Sequence, residues 1–315
     1  MRVIALVNRN ARHLQHRGRL RDVLEEPREG VRVIETRSLD ELDRAASEIA
    51  RDVPDAVVLA GGDGSYTAGI TALSRSLDEK TLAELPIALA PGGTASTVPR
   101  DWDWRSGDAT LRARAVMRAL DRMSTTRRPT LRVRDTDASS PRIGFIFGAG
   151  LVARFFEVYE REGANGERGA AKIVARIFAG SFVNGRTAKH VLTPQPCTIE
   201  VDGVPAPFDR ASLVAASVIR DLGLHMRLLH RAAERNDRFH FVATPAPPRK
   251  LAPQMFRVLS GTPLRDPKID ALAAKVKLTF PEGTGAYVLD GDLLRSDVIE
   301  VEPGPVLRFV DVRET

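Results

Sequence analysis

The chain lacks several features on which common ligand sites depend. Of its 315 residues only one is a cysteine, Cys197, which excludes an intramolecular disulfide and a cluster of thiolate metal ligands. Aromatic residues make up only 5% of the chain and do not alternate with basic ones, which argues against a stacking surface for single-stranded nucleic acid. No apolar run approaches the length of a membrane span, and the first apolar run is too short for a signal peptide. We therefore expect a cytoplasmic protein that binds no nucleic acid and meets the inner face of the membrane only peripherally.

Basic residues are in excess. Lys and Arg number 47 against 41 Asp and Glu, which gives a formal charge of +6. Such a balance favours anionic partners, among them nucleotides and acidic lipid surfaces. The hydrophobic content of 43% and the length of 315 residues are typical of a globular protein with room for two domains.

Strands and helices alternate in the first half of the chain. Short apolar runs predict strands, and amphipathic spacing predicts helices between them. The predicted strands are residues 2–7, 31–35, 56–60 and 87–90, and the predicted helices are residues 13–26, 39–51 and 66–77. This order is typical of a doubly wound parallel sheet.

The pattern changes near residue 129. Short runs of alternating apolar and polar residues, separated by Gly and Pro, predict an antiparallel sandwich or barrel. One helical insert, from about residue 151 to 182, interrupts it. We therefore expect an α/β domain over residues 1–128 and a β domain over residues 129–315, with the last strand able to return to the first domain.

A glycine-rich loop follows the third predicted strand. Gly61, Gly62 and Gly64 leave no side chain in the way, so backbone amides could close on a phosphate. A helix follows, with Asp63 or Ser65 as its expected N-cap, which places the loop at the positive end of a helix dipole. Because a carboxylate repels phosphates, Asp63 suggests Mg²⁺ between them. A tight strand-to-helix turn with no ligand would give the same pattern.

A second loop of the same design comes about thirty residues later. Pro91, Gly92, Gly93 and Thr94 again lead from a strand into hydroxyl residues. Because ligands of parallel sheets bind beyond the carboxyl ends of the strands, the two loops could hold one triphosphate from both sides.

These loops resemble those of the diacylglycerol kinase catalytic-domain family, which includes sphingosine, ceramide and bacterial lipid kinases. The resemblance rests on three motifs in matching order: "GGDGS" at 61–65, "PGGTAST" at 91–97 with "RD" at 100–101, and "VLDGD" at 288–292. Each motif alone is weak, and together they are fairly specific.

The resemblance implies an ATP-dependent lipid kinase, with an amino-terminal nucleotide domain, a carboxyl-terminal β-sandwich for the lipid and a cleft between them. The γ-phosphoryl group would pass, with Mg²⁺, to a hydroxyl of a diacylglycerol- or sphingoid-like lipid. Asp63 and Asp292 would be catalytic, Asp292 standing where the family has a glutamate base. The residues implied to bind ATP are Asn8, Thr36, Gly61, Gly62, Asp63, Gly64, Ser65, Thr67, Gly92, Gly93 and Thr94.

The chain departs from the family pattern in several places. Asp292 is one methylene shorter than glutamate, and "DGD" is also a hairpin-turn signal. Ser96 and Thr97 stand where the family has other polar residues, which weakens the substrate side of the assignment. Asp237, near Glu234, could be a ligand of the structural Mg²⁺ of bacterial members, but Arg238 replaces a glycine there.

Three alternatives remain open. The first is a family member that binds nucleotide or lipid without catalysis, and the others are a sugar kinase or an NAD kinase, which share the GGDG loop. His225, His230 and His240 do not have the spacing of a standard zinc ligand set, so we interpret them as surface or hydrogen-bonded histidines. The P-loop motif is absent, which argues against a P-loop mechanism.

Overall fold

The computed structural model describes residues 1–14, 19–26, 28–93, 96–102, 109–136, 138–164, 166–183, 185–224 and 226–312. The chain divides into two units. The first contains Met1–Thr130, Arg142–Gly144 and Pro305–Thr315, and the second contains Leu131–Pro141 and Phe145–Gly304. The chain passes from the first unit to the second after Thr130, two residues beyond the boundary predicted at residue 128. Two later segments, Arg142–Gly144 and Pro305–Thr315, belong to the first unit again.

Helices and strands alternate up to Thr130. In chain order they are β1 (Val3–Asn8), α1 (Arg19–Glu25), β2 (Val31–Thr36), α2 (Leu39–Arg51), β3 (Ala56–Gly61), α3 (Asp63–Ser76), α4 (Glu79–Glu84), β4 (Ile87–Pro91), α5 (Thr97–Asp101), α6 (Ala109–Arg122) and β5 (Thr125–Arg128).

Strands dominate the rest of the chain. In order they are β6 (Leu131–Asp135), β7 (Arg142–Gly144), β8 (Ile146–Gly150), α7 (Leu151–Arg161), α8 (Gly166–Phe182), α9 (Arg186–Leu192), β9 (Gln195–Pro196), β10 (Thr198–Val201), β11 (Val204–Pro205), β12 (Arg210–Ala211), β13 (Leu213–Ser217), β14 (Phe239–Thr244), α10 (Pro248–Leu251), a 3₁₀ turn (Ala252–Gln254), α11 (Met255–Leu259), β15 (Ile269–Ala273), β16 (Val276–Thr279), β17 (Ala286–Leu289), β18 (Asp292–Arg295), β19 (Val298–Pro303) and β20 (Leu307–Val310).

The first unit is built on one sheet with the order β2-β1-β3-β4-β20-β5. Neighbouring strands from β2 to β20 run parallel, and β5 runs antiparallel to β20 at the edge. The last strand of the chain therefore lies in the sheet of the first unit. The strands β1, β3 and β4 are apolar and buried on both faces, as a doubly covered parallel sheet requires.

Helices cover this sheet in the way that their apolar faces predict. One face of the strands packs with α1 and α6 in a single cluster that includes Leu24, Val58 and Met117. On α3, a Cβ added at Gly69 would lie 2.8 Å from a methyl of Leu59, so this helix packs closely on β3. The predicted fold class, an α/β unit followed by antiparallel sheets, is confirmed.

Two predicted helix boundaries differ from the structure. The helix predicted over residues 13–26 begins at Arg19 in the described part of the chain, and His13 and Leu14 lie in a turn. The helix predicted from residue 66 begins at Asp63, and its N-cap is Gly62 rather than Asp63 or Ser65. Ser65 instead accepts the amide hydrogen of Gly62 from inside the first turn, at 3.3 Å.

The second unit consists of antiparallel sheets. One contains β11, β10, β16, β19 and β6 in that order, and the other has the order β15-β14-β13-β8-β17-β18. The hydroxyl of buried Tyr287 on β17 donates to the carboxylate of Asp135 on β6, which links the two sheets. The helical insert predicted over residues 151–182 is two helices, α7 and α8. Among the described residues, no helix combines the length and the apolar character that crossing a bilayer requires.

The "DGD" motif forms a tight hairpin between β17 and β18. Leu289 pairs with Asp292, so the loop has two residues, Asp290 and Gly291. Their φ angles of 48° and 97° are both positive, as in the type I′ turn for which Asp-Gly is favoured. The carboxylate of buried Asp290 accepts the amide hydrogens of Phe145 and Ile146 at 2.9 and 2.8 Å. This side chain therefore ties the hairpin to β8.

We expect Asp290→Ala to destabilise the protein. It removes the acceptor of the buried Phe145 amide and of the partly buried Ile146 amide, and we expect the free energy of unfolding to fall by about 2–4 kcal/mol. The control is Asp292→Ala, two residues away and exposed, for which we expect a loss below about 1 kcal/mol. Urea denaturation followed by circular dichroism measures both. Equal losses for the two variants would contradict the role given to Asp290.

Candidate functional site

The two glycine loops touch each other at the carboxyl edge of the parallel sheet. They follow β3 and β4, which are neighbours and pair Gly61 with Pro91 at their ends. A Cβ added at Gly93 would lie 2.4 Å from the Cα of Gly62, and one added at Gly92 would lie 3.1 Å from the Cα of Gly61. Because the backbones approach this closely, a side chain at Gly93 would force the loops apart.

Backbone hydrogen bonds join the two loops. The amides of Gly92 and Gly93 both donate to the carbonyl of Gly61, at 2.7 and 3.0 Å. The amide of Gly62 donates to the Ser65 hydroxyl. The amides of Gly62, Gly92 and Gly93 thus join the loops and cap the helix, and the role of these glycines toward a nucleotide stays a prediction.

The first turn of α3 supplies other amides at the same place. The first backbone bond of this helix runs from Tyr66 to Gly62 at 3.1 Å. The preceding amides, those of Asp63, Gly64 and Ser65, belong to the turn in which a helix has no internal acceptors. They carry the positive end of the dipole of a 14-residue helix, which attracts anions.

Asn8 extends this arrangement to β1. Its side-chain amide donates to the Ser65 hydroxyl at 2.8 Å, and its side-chain oxygen accepts the amide hydrogen of Asn10 at 2.9 Å. The Ser65 oxygen thus accepts two hydrogen bonds, one from Asn8 and one from Gly62. Because both acceptor positions are used, the hydroxyl hydrogen is left to be donated, and a phosphate oxygen is a suitable acceptor.

The carboxylate of Asp63 points to the segment after the second loop. Its two oxygens accept the amide hydrogens of Thr97 and Val98 at 2.8 and 3.1 Å, and so fix the start of α5. Burial raises the pKa of Asp63 above its ordinary value, although the two amide bonds oppose this shift. Both oxygens therefore already have a structural task, and a role toward Mg²⁺ stays a prediction.

Tyr66 is a residue that the sequence argument missed. Its ring is fully buried on α3, and its hydroxyl donates to the carbonyl of Ala90 at 3.0 Å. Burial raises the pKa of this hydroxyl, so it stays protonated. Tyr66 therefore joins the first loop's helix to the strand that carries the second loop. The only signal in the sequence is a tyrosine directly after the glycine loop, since a buried tyrosine needs a partner for its hydroxyl.

Three threonines were predicted to contact nucleotide. Thr36 is buried at the end of β2, opposite Asn8, and its carbonyl accepts the amide hydrogen of Arg9 at 2.9 Å. Thr67 is buried within α3. Thr94 lies outside the described residues. Their roles toward a nucleotide stay predictions.

Asp292, the predicted base, belongs to the second unit. It is the first residue of β18 and its side chain is exposed, whereas Asp290 in the same motif is buried. The structure thus separates the two carboxylates of the motif into one that holds the hairpin and one that faces solvent. The catalytic role of Asp292 stays a prediction.

The predicted metal ligand Asp237 is bound by an arginine. Arg235 donates to its two oxygens at 2.8 and 2.7 Å, which lowers the pKa of Asp237. Arg238, which replaces the family's glycine, donates to Asp202 at 3.1 Å, and Arg231 contacts Glu234 at 3.3 Å. Arginine–carboxylate pairs therefore occupy the loop where the resemblance implied Mg²⁺.

Two of the three histidines lie together. The rings of His230 and His240 are 4.9 Å apart, and Nε2 of buried His240 lies 2.7 Å from Oδ1 of Asp270. Burial lowers the pKa of His240 below its ordinary value, against the influence of Asp270. His225 lies outside the described residues.

Comparison with known proteins agrees with the motifs. The model of the diacylglycerol kinase catalytic domain matches residues 2–127, a range that ends before the "VLDGD" motif. A search of curated proteins finds no match.

Solved structures from Bacillus anthracis str. Sterne share the fold. Two, each provisionally described as a diacylglycerol kinase, are 14% and 13% identical, with TM-scores of 0.70 and 0.67. A third, described as a diacylglycerol kinase, is 12% identical with a TM-score of 0.60. Each alignment covers 98% of this chain and 96% or 97% of the other. At these identities the likeness establishes the fold alone.

The recognition made from the motifs is thus confirmed over residues 2–127, where the chain matches the model of the diacylglycerol kinase catalytic domain.

Proposed function

We propose that this protein is an ATP-dependent lipid kinase that transfers the γ-phosphoryl group to a hydroxyl of a diacylglycerol- or sphingoid-like lipid. The observation that carries the proposal is the pair of touching glycine loops at the start of α3, in a domain that matches the diacylglycerol kinase family. The formal charge of +6 would favour anionic membranes, where such lipids are concentrated.

The first unit offers groups suited to the phosphates of ATP. Three amides and the helix dipole of α3 supply positive potential, and Ser65 supplies a hydroxyl hydrogen. Glycines at 61, 62, 92 and 93 allow the two loops to pack closely, which fixes the first turn of α3 at this edge. In this proposal Mg²⁺ arrives with ATP and neutralises phosphate charge. In this proposal the carboxylate of Asp63 acts indirectly. It accepts the amide hydrogens of Thr97 and Val98 and so holds the segment after the second loop.

Asp292 is the residue that we propose as the general base. Phosphoryl transfer needs little more from the protein than positioning and a carboxylate that accepts the hydroxyl proton of the acceptor. Asp292 is exposed and stands in the position of the family's glutamate. The hairpin held by Asp290 would fix its backbone, and the shorter side chain would require the lipid hydroxyl to approach closer.

A second candidate function is nucleotide binding without transfer. It is favoured by the departures from the family pattern, namely Asp292 in place of a glutamate and Arg238 in place of a glycine. Binding of ATP with no phosphorylated product from any lipid would support this candidate over the kinase.

The kinase proposal predicts that purified protein phosphorylates a lipid from a panel presented in anionic vesicles with radiolabelled ATP and Mg²⁺. We expect Asp292→Asn to lower kcat by about 100-fold or more, because the base is lost, and Asp292→Glu to retain much of the activity. Glu282→Gln, an exposed carboxylate in the same unit, serves as the matched control and should change nothing. Full activity in Asp292→Asn would exclude this residue as the base.

The contact between the loops predicts that Gly93→Ala weakens nucleotide binding. The added Cβ meets the Cα of Gly62 at 2.4 Å, so the loops must separate and the positive end of α3 is displaced. We expect the Kd for a fluorescent ATP analogue to rise at least about 10-fold, or ~1.4 kcal/mol.

The matched control for this variant is Gly203→Ala. There φ is positive, at 82°, unlike at Gly93, and the added Cβ meets nothing within 4 Å, so only local backbone strain is added. Thermal unfolding checks that both variants are folded. Unchanged affinity in a folded Gly93→Ala protein would show that the loop contact does not shape the nucleotide site.

The hydrogen bonds of Asp63 predict a positioning role that kinetics can separate from metal binding. Asn retains one acceptor oxygen and loses the charge, so we expect Asp63→Asn to lower kcat about 10-fold or more by loosening the start of α5. The Mg²⁺ concentration that gives half-maximal activity should stay within about twofold of wild type, since the ion comes with ATP. A large rise in that concentration would instead identify Asp63 as a metal ligand.

A further inference from the structure

The second unit contains a cluster of side chains of the types that bind metals. None of its members is among the residues proposed to bind nucleotide or to act in catalysis. His230, His240 and Asp270 each offer one ligand atom, and these three atoms lie within 4.8 Å of one another. His240 is on β14 and Asp270 on the neighbouring strand β15, where Val242 is the register partner of Asp270. His230 precedes β14 in the chain. Two strands and the segment before them thus bring three ligands to one point.

His240 is oriented by its surroundings. Its Nε2 faces Oδ1 of Asp270 at 2.7 Å, and its ring is fully buried. On the other side of the ring, Nδ1 accepts the amide hydrogen of Arg231 at 3.3 Å, so Nε2 carries the ring hydrogen and donates it to Asp270. The backbone of Leu229 also hydrogen-bonds the ring. If the ring hydrogen moves to Nδ1, that nitrogen can donate to the Leu229 carbonyl, and Nε2 can offer its lone pair to an ion. A backbone carbonyl behind the ring is the usual support of a metal-bound histidine.

His230 supplies a second, independent observation. Its Nδ1 is buried and makes no hydrogen bond with any described residue. A buried polar atom without a partner costs free energy, and in native proteins it is usually satisfied by a protein group, water or an ion. The hydrogen bond between His240 and Asp270 does not satisfy it. A divalent ion bound by all three side chains would give His230 a partner and would account for the close approach of the three ligand atoms.

We propose that His230, His240 and Asp270 form a binding site for a divalent transition-metal ion, with Zn²⁺ as the expected occupant. Two imidazole nitrogens and one carboxylate oxygen are a ligand set that Zn²⁺ accepts, and water completes the tetrahedron. Water can reach the site because the side chain of Asp270 is 24% exposed. On binding, the ion takes the place of the hydrogen between Nε2 of His240 and Asp270, and that proton moves to Nδ1, so that the imidazole stays neutral.

The site would be structural. It would fasten the segment containing His230 to β14 and β15 in the second unit, and metal binding would then add to the free energy of unfolding. The proposal does not depend on kinase activity, because binding and stability are its readouts.

The test uses the full-length protein after treatment with a chelator, with Co²⁺ as a spectroscopic probe and Zn²⁺ as its competitor. We expect one equivalent of Co²⁺ to give the visible absorption of a four-coordinate site, and Zn²⁺ to abolish it. Zn²⁺ should also raise the melting temperature. In His230→Gln and Asp270→Asn we expect the affinity to fall at least about 10-fold and the thermal shift to disappear.

The matched control is His190→Gln. His190 is also a histidine beside a carboxylate, with Nε2 3.8 Å from Glu157, but it lies outside the cluster. This variant should bind Co²⁺ and respond to Zn²⁺ as wild type does. Melting without metal checks that each variant is folded.

Two results would overturn the proposal. One is a wild-type protein that binds neither ion, and the other is a folded His230→Gln protein that binds both as tightly as wild type. If His240 and Asp270 form only a structural hydrogen bond, Asp270→Asn will lower the melting temperature without metal, and Zn²⁺ will shift neither protein.

Discussion

The carbonyl of Gly61 accepts two amide hydrogens, from Gly92 and Gly93, and this one contact determines the geometry of the carboxyl edge of the sheet. It fixes the ends of β3 and β4 at a backbone separation that only glycine allows. The loops therefore cannot be regarded as two independent phosphate cradles. They form a single rigid edge, at which the first turn of α3 presents its amides.

The polar residues around this edge mostly hold it in place. Tyr66 joins α3 to β4, Asn8 joins β1 to Ser65, and Asp63 joins α3 to α5. Each bond connects elements that are far apart in the sequence, so the positive end of the helix is fixed before any ligand arrives. Preorganised backbone dipoles lower the cost of binding an anion, because little has to be ordered on association. The same logic holds in the second unit, where Asp290 fixes the hairpin from which Asp292 projects.

Much of the fold followed from the sequence because its signals are local. Apolar runs predicted β1 and β3 to within a residue or two, and alternating runs predicted the antiparallel sheets. Glycine spacing predicted both loops, and the family recognised from them is confirmed over residues 2–127. What the sequence could not give were pairings between distant residues. Nothing in "GGDGS" indicates that Asp63 meets amides 34 and 35 positions away.

Other features of the candidate sites depend on burial or on the pairing of side chains, which the sequence does not show. The two aspartates of "DGD" are equivalent in sequence, and only the structure shows that Asp290 is buried and Asp292 exposed. The spacing of the histidines gave no sign that His240 hydrogen-bonds with Asp270, 30 residues further along the chain. Asp237 was predicted as a Mg²⁺ ligand from the family resemblance; the structure shows that Arg235 binds its carboxylate, and the metal role stays a prediction.

The central claim is that a nucleotide's phosphates bind at the start of α3, on amides 63–65, while the amides of Gly92 and Gly93 stay bonded to Gly61. Amide hydrogen exchange with and without ATP and Mg²⁺ tests this directly. The account predicts that the amides of residues 63–65 become protected on addition of ATP, and that those of Gly92 and Gly93 are protected in both states. Binding of ATP with no new protection at residues 63–65 would contradict it.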